Sequence, residues 1–155
     1  MITILHNIRS LHNVGSIFRT ADALGIKKIY LSGFTPSPID SLGKPRQQFI
    51  KVSLGAERSV LWEKVKMPNL IIDKLKKDGY KIFAVEQNKK SIPYYKVKLK
   101  KNSKVALIMG NEVRGISKSI LGKSDKILEI PMMGKKESLN VAIAFGIVAS
   151  RIAYK

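Results

Sequence analysis

A chain of 155 residues with 45% apolar composition can bury one substantial core. It has no cysteine and only two histidines, His6 and His12, which excludes disulfides and the usual structural zinc sites, so no metal is expected. Twenty-nine Lys and Arg against 11 Asp and Glu leave a formal charge of +18, which favours polyanionic partners, nucleic acid first, through counterion release.

Since 23 of the 29 cations are lysine, a solvated coat is the other reading of that charge. Met1-Ile-Thr-Ile-Leu5 runs into strand-like sequence without a basic region or small-residue cleavage site. The longest apolar run, Val141 to Ala149, is far short of the about 20 residues of a spanning helix. The expectation is one cytoplasmic domain, residues 1–155, with no membrane segment.

In chain order, Met1 to Asn7 reads as a strand. A helix follows, beginning at Asn13 as N-cap, with Val14, Ile17, Phe18, Ala21 and Leu24 at helical spacing and Gly25 placed to end it. Ile26 to Ser32 is a second strand. Gly33 to Gly55 carries three prolines and basic Lys44, Arg46 and Lys51, and reads as a long loop, a length usually tied to function. Pro68 to Lys77 is a helix and Lys81 to Glu86 a strand. Lys96 to Lys104 alternates charge with apolar residues, which suits a solvated edge strand as well as a phosphate contact. Lys104 to Met109 and Lys126 to Ile130 are buried strands flanking a Ser117 to Leu121 helix, and a last helix from Ser138 is apolar on nearly every face. Alternating strands and helices predict an α/β fold, a mostly parallel sheet flanked by helices. A last helix so apolar is either wrapped by its own chain or paired with a second copy.

Three segments carry more Gly, Asn, Arg and Glu at strand ends than packing needs, and strand carboxyl ends are where open α/β sheets bind ligands. In Asn7 to Gly25, Arg9, Asn13 and Arg19 could present an amide and guanidinium to an anion; Asn13 also serves as a cap and Arg19 as a solvated helix residue. Leu107-Ile-Met-Gly-Asn-Glu-Val-Arg-Gly-Ile-Ser117 is neither a Walker loop nor a dinucleotide fingerprint. Its Gly110 would let backbone approach a ligand, and its Glu112 is an acid in a basic chain or one half of a surface pair with Arg114. In Ile127 to Ala142, Ser138 can cap the last helix, which leaves Asn140 polar among Leu139, Val141 and Ala142 and least explained by packing.

Together these segments closely resemble the three motifs of the SpoU or TrmH group of SPOUT methyltransferases, from about Asn7 to Ala149. The matching residues are Asn13, Gly15, Arg19, Thr20 and Ala21, then Gly110-Asn-Glu-Val-Arg-Gly115, then Ile130-Pro-Met132 with Ser138-Leu-Asn140. The resemblance implies an α/β-knot fold with a carboxyl-terminal trefoil knot, and a homodimer packed around it that brings Arg19 of one subunit toward the cofactor of the other. It implies S-adenosylmethionine as cofactor, held against Val85, Gly110, Ile130, Met132, Ser138 and Leu139. The implied reaction is methyl transfer to an RNA ribose 2′-hydroxyl. Arg19 would stabilise the developing alkoxide, Asn13, Ser138 and Asn140 would orient the reactants, and Glu112 would orient or balance that cluster. With no added RNA-binding domain in view, Arg9, Lys44 and Arg46 are expected to help hold the RNA. Tyr80 to Asn88 and Gly110-Asn-Glu112 look more like the branch methylating a tRNA D-loop guanosine than the small wobble-position enzymes. A ribosomal RNA 2′-O-methyltransferase, or a catalytically silent RNA-binding or assembly protein, are the alternatives.

Overall fold

The computed structural model describes residues 1–154. Seven strands, β1 (Ile2–His6), β2 (Lys28–Ser32), β3 (Leu61–Val65), β4 (Lys81–Val85), β5 (Ile92–Pro93), β6 (Val105–Met109) and β7 (Lys126–Glu129), form one sheet in the order β3-β2-β1-β6-β4-β7-β5. Every pairing is parallel. The "mostly parallel" expectation was conservative. Strands covered on both faces read as continuous apolar runs, which is why Val105-Ala-Leu-Ile-Met109 is buried throughout.

Side-chain alternation along each strand divides the core in two. Leu5, Ile29, Leu31, Phe83, Leu107 and Leu128 meet α1 (Leu11–Ala23), α2 (Gln47–Ser53), α3 (Ala56–Ser59) and α6 (Val141–Ala153). Ile4, Tyr30, Ile82, Ala84 and Ile108 meet α4 (Pro68–Lys77) and α5 (Lys118–Lys123).

Several sequence expectations are corrected. The long loop from Gly33 contains α2, whose fully buried Phe49 meets Phe18 edge to face at 5.1 Å between centroids. Strands β3 and β5 lie in segments to which the sequence assigns no element. Lys96 to Lys104 is not a strand: after a 3-10 turn at Tyr94–Lys96 the chain runs irregularly to β6. Helix α1 starts at Leu11, because Ser10, not Asn13, is its N-cap, with Oγ accepting from Asn13 N at 3.2 Å. Helix α6 starts at Val141, because Asn140, not Ser138, caps it, with Oδ1 accepting from Ala142 N at 2.9 Å. Gly25 ends α1 as expected, at φ +63°, with Gly25 N donating to Asp22 O and Ile26 N to Ala21 O.

Helix α6 is partly wrapped by its own chain. Val141, Phe145, Val148, Ala149 and Ile152 are buried, while Ile143 is 56% exposed and Ile147 half-buried. Among the described residues no helix is long and apolar enough to cross a membrane.

Candidate active site

Moving the start of α1 to Leu11 changes what Asn13 can do. Its backbone N–H is taken by Ser10, so its side chain is free to reach out of the helix. Asn13 Nδ2 donates to Glu112 Oε1 at 3.1 Å, and Asn13 Oδ1 accepts from Asn140 Nδ2 at 3.0 Å. Glu112 also accepts from Arg9 N at 3.0 Å and Ser10 N at 3.2 Å, so its carboxylate sits at the positive, amino-terminal end of α1, on the two N–H groups just before the helix. Burial pushes its pKa up, but the bonds from Arg9, its own backbone, Asn13 and Ser10 outweigh this and hold the carboxyl below its ordinary value. No ion pair joins Glu112 to Arg114 among the described residues.

A second node lies at the carboxyl end of β1. Asn7 is left-handed, at φ 57°. Its Nδ2 donates to His6 Nε2 at 3.0 Å, its Oδ1 accepts from Phe34 N at 3.2 Å, and its carbonyl accepts from Asn111 Nδ2 at 2.7 Å. An amide nitrogen only donates, so Nε2 is the imidazole's acceptor and Nδ1–H donates to Ser32 Oγ at 2.9 Å. Burial lowers the His6 pKa, in keeping with that neutral ring. This node fastens the turn after β6 to β1 and β2.

The turn itself is closed by Asn111 Oδ1, which accepts from Val113 N at 3.0 Å and Arg114 N at 2.7 Å. Glu86, just beyond β4, clamps it from below, accepting from Ile116 N at 2.8 Å. Gly115 has φ +64°, and a Cβ there would stand 2.2 Å from Glu86 Oε2. At Gly110 a Cβ would stand 2.4 Å from Ile116 Cγ1 and 2.8 Å from the Gly115 carbonyl carbon. Gly110 therefore admits its own chain as well as leaving room for a ligand.

Above the carboxyl ends of β4, β6 and β7 these turns enclose a cavity of about 340 Å³. Val85, Gly110, Ile130, Met132, Ser138 and Leu139 all line it, as does Glu112. Sequence reasoning missed Glu86, Glu129 and Glu137. Four of the chain's 11 acidic residues thus line one cavity, and no Lys or Arg among the described residues lines it, with Lys135 and Lys136 just beyond Glu137. Glu129 Oε2 accepts from Ser91 Oγ at 2.7 Å, and Gln87 Nε2 donates to Glu137 O at 2.6 Å. Among the described residues no three His, Asp or Glu converge closely enough to hold a metal ion.

Asn13 and Asn140 join the cavity through Glu112. Arg19 does not line it. It is exposed on α1, in a shallow groove with Thr20, Lys51, Gly146 and Ser150. Arg9 is exposed beside the Glu112 cluster. Lys44 is exposed and Arg46 half-buried in the turn before α2, where Arg46 Nε donates to Ile39 O at 3.2 Å.

The profile of the SpoU rRNA Methylase family matches residues 1–150. The chain is 32% identical to a tRNA (guanosine(18)-2'-O)-methyltransferase of Aquifex aeolicus, over 96% of this chain and 66% of that protein. It is 30% identical to the 23S rRNA (guanosine(2553)-2'-O)-methyltransferase RlmP of Bacillus subtilis, over 95% of this chain and 55% of that one. Its fold superposes on the crystal structure of an AdoMet-bound rRNA methyltransferase from Sinorhizobium meliloti with a TM-score of 0.86 and 27% identity, over 97% of this chain and 54% of that one. The chain thus spans about half to two thirds of the length of these relatives.

Proposed function

The chain belongs to the SpoU rRNA methylase family, and from that membership we propose that it is an S-adenosylmethionine-dependent RNA 2′-O-methyltransferase. The observation that carries this reading is the charge of the cavity. A basic chain that lines one cavity with four glutamates and, among the described residues, no Lys or Arg disfavours a nucleoside triphosphate there and suits a ligand with positive charge. The volume, about 340 Å³, lies in the range of small-molecule sites. Val85, Ile130, Met132 and Leu139 supply apolar walls for an adenosine, and Glu86, Glu129 and Glu137 supply carboxylates for the cationic part.

When bound, S-adenosylmethionine supplies a methyl group activated by a sulfonium. The protein's tasks are to seat the ribose hydroxyl in line and to stabilise negative charge on its oxygen. We assign the second task to Arg19, whose guanidinium stays protonated and so stabilises an oxyanion rather than taking a proton. Because Arg19 stands apart from the cavity of its own chain, this role requires a second copy. A homodimer built on the exposed side of α6, with Ile143 and Ile147, would supply it. Asn13, Ser138 and Asn140 orient the reactants and Glu112 fixes Asn13. Arg9, Lys44 and Arg46 serve the RNA. The trefoil knot belongs to the same reading, with the turns after β6 and β7 as its crossing segments.

For substrate we favour tRNA, and within it the D-loop guanosine named in the Aquifex aeolicus relative; the Bacillus subtilis relative makes 23S rRNA the second reading. Purified protein with labelled S-adenosylmethionine should methylate bulk tRNA, and nuclease digestion with mass spectrometry should return 2′-O-methylguanosine. Cofactor binding without transfer to tRNA or rRNA would leave a silent RNA-binding protein instead.

A further inference from the structure

Between Glu86 and Glu112 the chain has seven lysines and no acid. Lys89, Lys90, Lys96, Lys98, Lys100 and Lys101 are exposed, and no ion pair among the described residues engages any of them. The seventh, Lys104, lies 5.7 Å from the centre of the Tyr80 ring and donates to Asp78 O at 3.1 Å.

The topology arranges these charges as a strip. Gln87 lines the cavity, and Lys89 and Lys90 follow it two and three residues on, so the strip begins beyond the carboxyl end of β4. It passes β5, the outermost strand beside β7, and finishes at Lys104, where β6 begins. Since all strands run parallel, the strip passes from the cavity end at edge strand β5 to the opposite end of the sheet at central strand β6, a drop of about 17 Å for five-residue strands. The backbone beneath it is anchored: Val97 is buried, Leu99 packs on the core, and Arg151 Nη2 reaches Val97 O at 3.5 Å. Lys98 and Lys100 alternate with these anchors and face solvent.

Protection of a sheet edge does not account for the strip. The edge strand is Ile92–Pro93, two residues long and ending in a residue with no N–H to offer a neighbour. Residues 97–104 are not in a strand and present no ladder to shield. Unneutralised like charges along one path repel each other, and a polyanion laid over them relieves that repulsion.

We propose that this strip is an RNA-docking surface. The ribose-phosphate backbone of the substrate runs along Lys96 to Lys101 and is led past Lys89 and Lys90 to the cavity. Tyr95, 52% exposed and braced edge to face on Tyr94 at 5.5 Å, offers a ring on which an unpaired base stacks. Continuity along the chain with Gln87, which lines the cavity, favours RNA over an acidic protein, because what lies on the strip is led toward the site. The inference rests on the RNA-methylating reading above.

The test compares two triple variants of equal charge. Lys98, Lys100 and Lys101 are changed together to Gln; in the control, Lys74, Lys77 and Lys118, exposed on α4 and α5 across the sheet, are changed likewise. The strip variant should bind tRNA at least about tenfold more weakly at low salt, with the salt slope reduced by about two to three. The control should stay close to wild type, and both should bind S-adenosylmethionine unchanged, which also certifies their fold. Equal losses in the two variants, or a strip variant that binds RNA as wild type does, overturn the proposal. Methyl transfer is scored separately: a wild-type protein that binds tRNA through the strip but methylates nothing sinks the functional reading and not the docking surface.

Discussion

Asn140, the residue that caps the last helix, donates its amide to Asn13 across 127 positions of sequence, and Asn13 passes the link on to Glu112. One residue from each motif therefore meets in a single line, Asn140 to Asn13 to Glu112, with Asn13 the only member bonded to both others.

Asn13→Ala removes both links at once. The bonds are partly exposed, so the cost to folding should be about 1 kcal/mol or less, read from denaturant unfolding. Methyl transfer should fall further than that loss implies, since Glu112 and Asn140 lose their common partner. Asn13→Asp would keep the acceptor for Asn140 but set a second carboxylate against Glu112, and should be the worse variant. Equal rates for Asn13→Ala and wild type would dismiss the line as decoration.

Glu112 gives a pH dependence of known sign. Its folded-state pKa is depressed, so its contribution to stability is fully present above its ordinary value of 4.5 and is lost as pH falls through the lower, folded-state value. As pH falls below 4.5, wild-type stability should therefore drop more steeply than that of Glu112→Gln. Urea unfolding of the two proteins at a series of pH values measures the difference, and parallel curves would contradict the depressed pKa.

Arg19→Ala should lower the single-turnover rate of methyl transfer by about 10² to 10³, the scale of one oxyanion donor, with cofactor affinity unchanged. Arg19→Lys should restore little, because an ammonium lacks the planar fork. Mixing Arg19→Ala with a cofactor-blocked variant such as Gly110→Leu should regain one working site per dimer if the arginine crosses between subunits. No regain would keep Arg19 with its own cavity and remove the reason it needs a partner. Ile147→Lys, on the outward side of α6, should give monomers by light scattering, with transfer lost.

Gly110→Ala tests the turn beneath the cavity. Its added Cβ meets a backbone carbon at 2.8 Å, which cannot move without shifting Gly115 and the Glu86 clamp. Cofactor affinity should fall by tenfold or more, about 1.4 kcal/mol or above, while far-ultraviolet circular dichroism stays that of the folded sheet. Calorimetric titration showing wild-type affinity would mean the turn has slack.

Sequence alone located the strands whose residues are buried on both faces, such as β4 and β6, because continuous apolar runs have few other uses. It passed over β3, where Leu61, Glu63 and Lys64 are exposed and only Val65 is buried, so neither alternation nor an apolar run survives. Helix α2 was hidden by prolines before it and by having only Phe49 and Ser53 buried in seven residues. The motifs pointed to residues that line the cavity or bond to Glu112, yet the cap of α1 was misplaced by three positions, since Ser10 and Asn13 are equally good caps and only the tertiary bond to Glu112 decides between them. The gathering of Glu86, Glu112, Glu129 and Glu137 was out of reach, because it depends on β6, β4 and β7 lying side by side.

That strand order also governs when the protein can exist at all. Ile2 pairs with Ala106, so β1 has only β2 beside it until the chain has been made through β6. Closing so large a loop makes the central pairing slow relative to local helix formation, and during synthesis the first strand waits with one flank unpaired. The Asn13 to Asn140 link must wait longer still, for the last helix. Folding and completion of the site are therefore nearly one event, and a nascent chain halted before residue 140 holds neither the cap of α6 nor a finished cavity.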